Sequence, residues 1–187
     1  SSRPSLINGM MNVIISEGLL DKDFIENRTE GFAEVAKVLE KYTPEYVEPI
    51  TGVPAEDIRK AARIYASAER GSICYAMGLT QHSTGTDNVK SVCNLALLTG
   101  NLGKPGTGVN PLRGQNNVQG ACDMGALPVS YPAYQQVTNP EVREKFEKAW
   151  GVKLSPNNGV TLTAAINKAH HGELKGIFVF GENPMVS

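Results

Sequence analysis

Two short apolar runs, each followed by a glycine and a polar loop, constrain the fold of this chain more than any other feature. The first run covers residues 72–77 and the second covers residues 175–181. Both follow segments with helical periodicity, and both have the length of a buried strand. Strands that alternate with helices indicate an α/β layer. The sequence therefore predicts two partial α/β units, Rossmann-like and doubly wound in type, with a helix-rich first part.

Amphipathic helices account for most of the remaining sequence. Apolar residues recur three and four positions apart along each of them, and the helix at residues 161–170 is expected to bury Leu162 and Ile166. Side-chain oxygens that can accept from the first N–H groups of a helix mark the expected starts. Glycines mark the expected ends. The expected N-caps are Asp21, Thr43 and Asn139, and the expected stops are Gly18, Gly52, Gly100 and Gly151.

Residues 100–139 show no helical or strand periodicity and are punctuated by glycine and proline. A structureless stretch of this length in a compact domain is either functional or disordered, and its low charge disfavours disorder. The central run, residues 110–125, surrounds one arginine with amide side chains. These residues are Arg113, Gln115, Asn116, Asn117 and Gln119.

This run has the chemistry of a ligand site. A guanidinium offers a planar fork of donors that matches a carboxylate or phosphate, and amides match the edges of heterocycles. Glycines at both ends allow close approach of the backbone. The alternative is a polar loop that hydrogen-bonds only to itself. Because the run joins the two α/β units near residues 113–116, a site there would also be lined by both strand-end loops.

Composition excludes several classes of function. The 187-residue chain has a formal charge of -1, so no basic field attracts nucleic acid. Its three cysteines form no C-x-x-C pair, which argues against a disulfide framework, a structural zinc or an iron–sulfur cluster held by this chain. The glycine motifs typical of ATP or NAD sites are absent. No apolar run could span a bilayer, so a soluble, cytoplasmic chain without a membrane segment is expected.

Four ordered motifs resemble the large subunit of molybdopterin-dependent formate dehydrogenases. They are Gly-Leu-Thr-Gln at 78–81, Leu-Leu-Thr-Gly-Asn-Leu-Gly at 97–103, Arg-Gly-Gln-Asn-Asn-Val-Gln-Gly at 113–120 and Gly-Glu-Asn-Pro at 181–184. The resemblance extends over essentially the whole chain. Two of the motifs also resemble nitrate reductases of the broader family, whereas the arginine-containing run is most similar to the formate branch.

The resemblance implies a bis-(molybdopterin guanine dinucleotide) cofactor with molybdenum or tungsten, held between two α/β domains of a longer parent. Residues 1–113 would then be the second half of one α/β dinucleotide-cofactor-binding domain, and residues 114–187 the beginning of another. The implied reaction is oxidation of formate to carbon dioxide, with an electron-transfer subunit or acceptor protein as partner. Two alternatives fit the same residues: another molybdopterin oxidoreductase of the nitrate reductase type, or a non-catalytic cofactor-binding module of a respiratory complex.

The resemblance also implies roles for individual residues. Arg113 matches a family arginine beside the metal, where it would orient the formate carboxylate. Cofactor contacts are implied for three groups: Met77, Gly78 and Gln81; then Gly114, Gln115, Asn116, Asn117, Val118 and Gln119; and finally Gly181, Asn183 and Pro184.

Parts of the family pattern are not found in this sequence. The family's large subunit is several times longer and begins with a domain that holds a 4Fe–4S cluster, followed by a Cys or selenocysteine metal ligand. None of the three cysteines here stands in the context of that ligand, so no metal ligand is assigned. The chain is therefore expected to be an internal fragment, free of cofactor when isolated and inactive alone.

Overall fold

The computed structural model describes residues 2–183 and residue 186. The chain divides into two compact units, Ser1–Gly114 and Gln115–Ser187, here called the first and the second unit. Both combine helices with short strands, so the predicted α/β class is confirmed, with small sheets and a majority of helix. The doubly wound strand order stays a prediction. None of the helices described has the length and apolar character that a membrane crossing requires.

The first unit is mostly helical, with one pair of strands. Its elements, in chain order, are α1 Ser2–Ser16, α2 Lys22–Arg28, α3 Phe32–Leu39, α4 Pro44–Thr51, α5 Ala55–Ser67, β1 Ser72–Tyr75, α6 Met77–Thr80, α7 Gly85–Leu98 and β2 Gly108–Pro111.

Helix α1 is the centre of the first unit's core. Met11 and Ile14 on α1 are fully buried in a cluster to which α3, α5 and α7 also contribute. Gly9 lets α1 approach α4, since a Cβ there would lie 3.2 Å from Cγ2 of Val47. Val47 and Ile58 are buried completely as well. Burying one such side chain contributes about 1.5–3 kcal/mol, so this cluster stabilises the packing of the other helices against α1.

The helix boundaries follow the capping residues, as the sequence predicts. The Asp21 carboxylate accepts from the Phe24 N–H at 2.9 Å, and the Thr43 hydroxyl accepts from the Tyr46 N–H at 3.3 Å. Each cap satisfies a backbone donor that the helix itself leaves open. The glycine stops are confirmed by positive φ angles at Gly18, Gly52, Gly100 and Gly151.

Strands β1 and β2 pair in parallel. The register runs from Ser72 opposite Gly108 to Tyr75 opposite Pro111. The Leu112 N–H then donates to the Tyr75 carbonyl at 2.7 Å, so pairing continues one residue past β2. Both strands consequently end at the same edge of the sheet.

The second unit is smaller and has a modest core. Its described elements are α8 Val118–Asp123, β3 Ser130–Tyr131, the 3₁₀ turn Pro132–Tyr134, β4 Gln135–Gln136, α9 Pro140–Trp150 and α10 Leu162–His170. β3 pairs with β4 in antiparallel orientation. Tyr131 and Val137 pack against Phe146, and the Tyr131 and Phe146 ring centroids lie 4.8 Å apart. Asn139 caps α9, because its Oδ1 accepts from the Glu141 N–H at 3.0 Å.

The expectation that residues 100–139 are structureless is wrong. This stretch contains β2, α8 and the β3–β4 hairpin. The strands have four, two and two residues and the helix has six, so none is long enough to show a recognisable period. Tertiary pairing, rather than local pattern, forms these elements.

The predicted strand at residues 175–181 is also wrong. No strand is present there, and Phe178 and Phe180 are 91% and 90% exposed. A strand needs hydrogen bonds to a neighbouring strand, and the described part of the second unit offers only the two-residue strands β3 and β4. The apolar face of α10 is exposed as well. Leu162 and Ile166 were expected to be buried but are 69% and 45% exposed.

A glycine and a buried asparagine fix the corner between α6 and α7. Gly85 begins α7 at a place where any Cβ would overlap the carbonyl oxygen of Thr80. Asn88 is fully buried, donates from Nδ2 to the Leu79 carbonyl at 2.8 Å and accepts from the Thr84 hydroxyl at 3.2 Å. The segment after β1 is therefore held in place by α7.

Gly85→Ala is expected to lower the free energy of unfolding by about 1–3 kcal/mol, because the added methyl group forces α6 away from α7. Gly78→Ala is the matched control, since a Cβ at Gly78 meets no atom within 4 Å. Urea unfolding of both variants measures the difference. A Gly85→Ala protein as stable as the wild type would contradict this description of the corner.

Candidate functional site

The segments that follow β1 and β2 lie side by side in the first unit. Tyr75 pairs with Pro111 at the ends of the strands, so Met77 and Arg113 each stand two residues beyond the same edge. A Cβ on Gly114 would lie 3.3 Å from Cε of Met77, which shows how closely the two segments approach. Ligands of α/β proteins bind at such carboxyl ends of parallel strands.

The segment after β1 is more ordered than the sequence indicates. Residues 78–85 were expected to form a polar loop, but their first part belongs to the single helical turn α6. Nε2 of Gln81 lies 3.2 Å from the sulfur of Met77, and Nε2 of His82 lies 3.0 Å from the carbonyl oxygen of Gly78. Met77, Gly78 and Gln81 are all exposed, so this turn presents each predicted cofactor residue of the segment at the surface.

Arg113 and Gly114 are likewise exposed at the end of β2. An arginine stays charged at any physiological pH, so Arg113 places a permanent positive charge at the strand edge. Gly114 lacks a side chain where the chain passes Met77, which leaves its backbone accessible to a ligand.

The amide run continues into the second unit at the start of α8. Gln115, Asn116 and Asn117 are exposed. Asn117 adopts the left-handed conformation, with φ 52°, and its Oδ1 stands 2.5 Å from where a Cβ on Gly120 would lie. The lack of a side chain at Gly120 therefore leaves room for the Asn117 amide in this position. Val118, which follows, is half-buried.

Gln119 is held by two residues for which the sequence predicts no role. Its Nε2 donates to Oδ1 of Asp123 at 2.9 Å and to the hydroxyl of Tyr134 at 3.0 Å. The spacing of Gln119 and Asp123, four residues apart on one helix, is a signal that could have predicted the first bond. No local signal predicts Tyr134, because its position depends on a turn with positive φ at both Ala133 and Tyr134.

Asp123 also determines the ionisation of this cluster. A hydrogen bond to the Asp123 carboxylate, helped by burial, raises the pKa of Tyr134 above the ordinary value of 10.0, and the Gln119 amide opposes the shift. The carboxylate can only accept, so the neutral hydroxyl is the form that binds it. The Asp123 carboxylate therefore favours the neutral form of Tyr134.

The third predicted group follows the exposed apolar segment of the second unit. Gly181 has φ 69°, a conformation that suits glycine, and Asn183 is exposed. Pro184 lies outside the described residues, so its predicted cofactor contact has no structural counterpart. Nearby, an apolar groove of about 670 Å³ lies between α10 and residues 177–180. Its hydrocarbon lining differs from the amide chemistry of the predicted site.

The exposed donor set fits a large polar heterocyclic cofactor with phosphate groups. Uncharged amides can pair with ring edges, one guanidinium can pair with an anion, and glycines leave room for both. The described residues bring together no group of three or more His, Cys, Asp or Glu side chains that could hold a metal ion.

Comparison with known protein families shows which family has a sequence of this kind. The model of the molybdopterin oxidoreductase family matches residues 3–187. The chain belongs to the molybdopterin oxidoreductase family, and the resemblance seen in its four motifs is confirmed.

The relatives include several formate dehydrogenases. The chain is 55% identical to the alpha subunit of the F420-dependent formate dehydrogenase of Methanocaldococcus jannaschii, over 98% of this chain and 27% of that one. It is also 55% identical to formate dehydrogenase H of Escherichia coli, over 98% of this chain and 26% of the other. The chain thus spans about a quarter of the length of these relatives.

A solved structure shares part of the fold. Acetylene hydratase from Pelobacter acetylenicus superimposes with a TM-score of 0.54 and 33% sequence identity. The match covers 56% of this chain and 14% of the hydratase. The name of that protein states a hydratase, so this part of the fold also occurs in a protein named for a different reaction.

Asp123→Asn is expected to lower the pKa of Tyr134 towards its ordinary value, because the carboxylate that binds the neutral hydroxyl is removed. A raised folded-state pKa stabilises the protein fully below the unfolded pKa near 10.0, and this stabilisation is lost as the pH rises through the folded value. Absorbance of tyrosinate near 295 nm, compared with Tyr134→Phe, isolates this titration. Glu144→Gln is the control. An unchanged Tyr134 pKa in Asp123→Asn would show that Asp123 does not interact with the Tyr134 hydroxyl.

Proposed function

We propose that this chain is part of the catalytic subunit of a formate dehydrogenase that oxidises formate to carbon dioxide. The observation that carries the proposal is the position of Arg113, exposed at the carboxyl edge of the β1–β2 pair beside Met77. The proposal is supported by relatives whose names state this activity and which are 52–55% identical over nearly the whole chain.

The cofactor of the proposed enzyme is a bis-(molybdopterin guanine dinucleotide) with molybdenum or tungsten, which accepts the two electrons of the reaction when bound. Two segments of this chain would hold it: Met77, Gly78 and Gln81 after β1, and the run from Gly114 through Gln119 after β2. Gly181, Asn183 and Pro184 complete the proposed contacts. These residues supply neutral donors and acceptors, which suit ring edges, and close backbone approach, which suits phosphates.

Arg113 has a direct role in the proposed reaction. Formate is an anion, HCOO⁻, and its conversion to carbon dioxide releases one proton and two electrons. The guanidinium fork can bind both carboxylate oxygens and fix the direction of the C–H bond. It also compensates the negative charge until carbon dioxide, which is neutral, departs. An electron-transfer subunit or acceptor protein would receive the electrons, and a cytoplasmic location is part of the proposal.

A second candidate is another reaction of the same cofactor family. The superposition on acetylene hydratase supports this second candidate, because a protein named for a different reaction shares part of the fold of this chain. The two candidates differ in what they require from Arg113. A small planar anion such as formate can pair with the guanidinium of Arg113, whereas an uncharged substrate does not need a cation at the strand edge.

Arg113→Ala in the complete enzyme is expected to lower kcat/KM for formate by about 10²–10³-fold, because the charge-assisted pair with the carboxylate is lost. Arg70→Ala is the matched control, since Arg70 is exposed in the same unit and pairs with Glu69. Pterin content is measured in each variant to separate substrate binding from cofactor binding. Formate oxidation that survives Arg113→Ala unchanged would favour the second candidate.

The isolated 187-residue chain is expected to show no formate oxidation with an acceptor dye. It spans 26–27% of the formate dehydrogenases to which it is similar, and the described residues assemble no metal-binding group. Dye reduction under anaerobic conditions measures turnover, and the complete enzyme provides the positive control. Turnover by the isolated chain would mean that the proposed division of the active site is wrong.

A further inference from the structure

The Gln119 side chain is fixed more firmly than its exposure suggests. Both hydrogens of its amide nitrogen are engaged, one by Oδ1 of Asp123 at 2.9 Å and one by the hydroxyl of Tyr134 at 3.0 Å. A carboxylate accepts and cannot donate, so the nitrogen rather than the oxygen of the amide must point to Asp123. The chemistry of Asp123 therefore determines which way the amide is turned.

Asp123 and Tyr134 both accept from the same amide nitrogen, the Tyr134 hydroxyl through a lone pair at 3.0 Å. The nearby Asp123 carboxylate also raises the pKa of Tyr134. Each of the three side chains consequently has a defined donor or acceptor role, and such networks are stiffer than isolated bonds.

The backbone under Tyr134 is anchored on the second unit's core. Ala133 and Tyr134 adopt φ 60° and φ 56°, a conformation uncommon for residues other than glycine. The preceding Tyr131 packs in the aromatic cluster with Phe146. Gly125 lets the end of α8 approach the turn, since a Cβ there would lie 2.8 Å from the nitrogen of Pro132. Strain of this kind persists where the surrounding structure over-determines it, and it concentrates at functional sites.

One group of Gln119 remains for a ligand. No described residue donates to its Oε1 in the structure. We infer that Asp123 and Tyr134 are positioning residues that turn the Gln119 amide so that it offers only its acceptor oxygen, which binds a ring N–H donor of the pterin. This inference rests on the proposed function, because it assumes that a pterin occupies the site. In the hydrogen bond between Gln119 and the pterin, Gln119 is the acceptor, and Asp123 and Tyr134 are the residues that impose this direction.

The test turns Gln119 into a carboxylate and Asp123 into an amide. Position 119 then still offers an oxygen to the ligand. In the complete protein, Gln119→Glu alone brings two carboxylates together, and pterin loss is expected to become faster. Combining it with Asp123→Asn restores the internal bond, because the new asparagine can donate to the new carboxylate. Retention in the double variant should return to within about twofold of the wild type, a coupling that only interacting residues show.

Tyr134→Phe provides an independent variant that keeps the ring and removes the hydroxyl. We expect pterin to dissociate about three- to tenfold faster, in keeping with the loss of one hydrogen bond. Tyr46→Phe is the matched control, since Tyr46 is 50% exposed and Tyr134 is 44% exposed. Dissociation is followed by the fluorescence of released, oxidised pterin, and the Tm of the cofactor-free protein reports on folding separately.

The outcomes separate this inference from the proposed function. Rescue by the double variant together with faster loss in Tyr134→Phe supports the inference. A double variant that loses pterin as fast as Gln119→Glu overturns it, because the ligand then requires a donor from position 119. Wild-type retention in Tyr134→Phe also overturns it. Complete protein that contains no pterin overturns the proposed function and the inference together.

Discussion

The parallel pairing of β1 with β2 determines where the polar residues of this chain meet. Residues 72 and 108 are far apart in sequence, yet the register places Tyr75 opposite Pro111 and carries both strands to one edge. The turn that begins at Met77 and the run that begins at Arg113 leave that edge together. Neither segment contributes to the core of the first unit. The helices around α1 supply stability, and the strand ends carry the residues to which the proposed function assigns contacts with cofactor and substrate.

The helical part of the fold could be predicted from sequence because its determinants are local. A cap such as Asp21 or Thr43 acts on N–H groups within three residues of itself, and a stop such as Gly52 acts through its own φ angle. The candidate site was visible for a related reason. Arg113 and its amide neighbours are contiguous in sequence, so their shared chemistry can be recognised without knowledge of the fold.

The remaining features depend on partners that are distant in sequence. β2 has four residues and exists because β1 lies beside it, so its own pattern does not reveal it. The apolar residues 175–181 have the pattern of a strand but no neighbouring strand in the described part of their unit, and Phe178 is therefore exposed. The contact of Tyr134 with Gln119 requires a left-handed turn of non-glycine residues, which sequence propensities disfavour.

The most direct measurement is an experimental structure of the complete protein with its pterin cofactor bound and formate, or a carboxylate analogue, in the site. The proposed function predicts hydrogen bonds of about 2.7–3.2 Å from the cofactor to the segments that begin at Met77 and Gly114, with the Arg113 guanidinium on the carboxylate. A cofactor that binds elsewhere, or a carboxylate that does not contact Arg113, would contradict it.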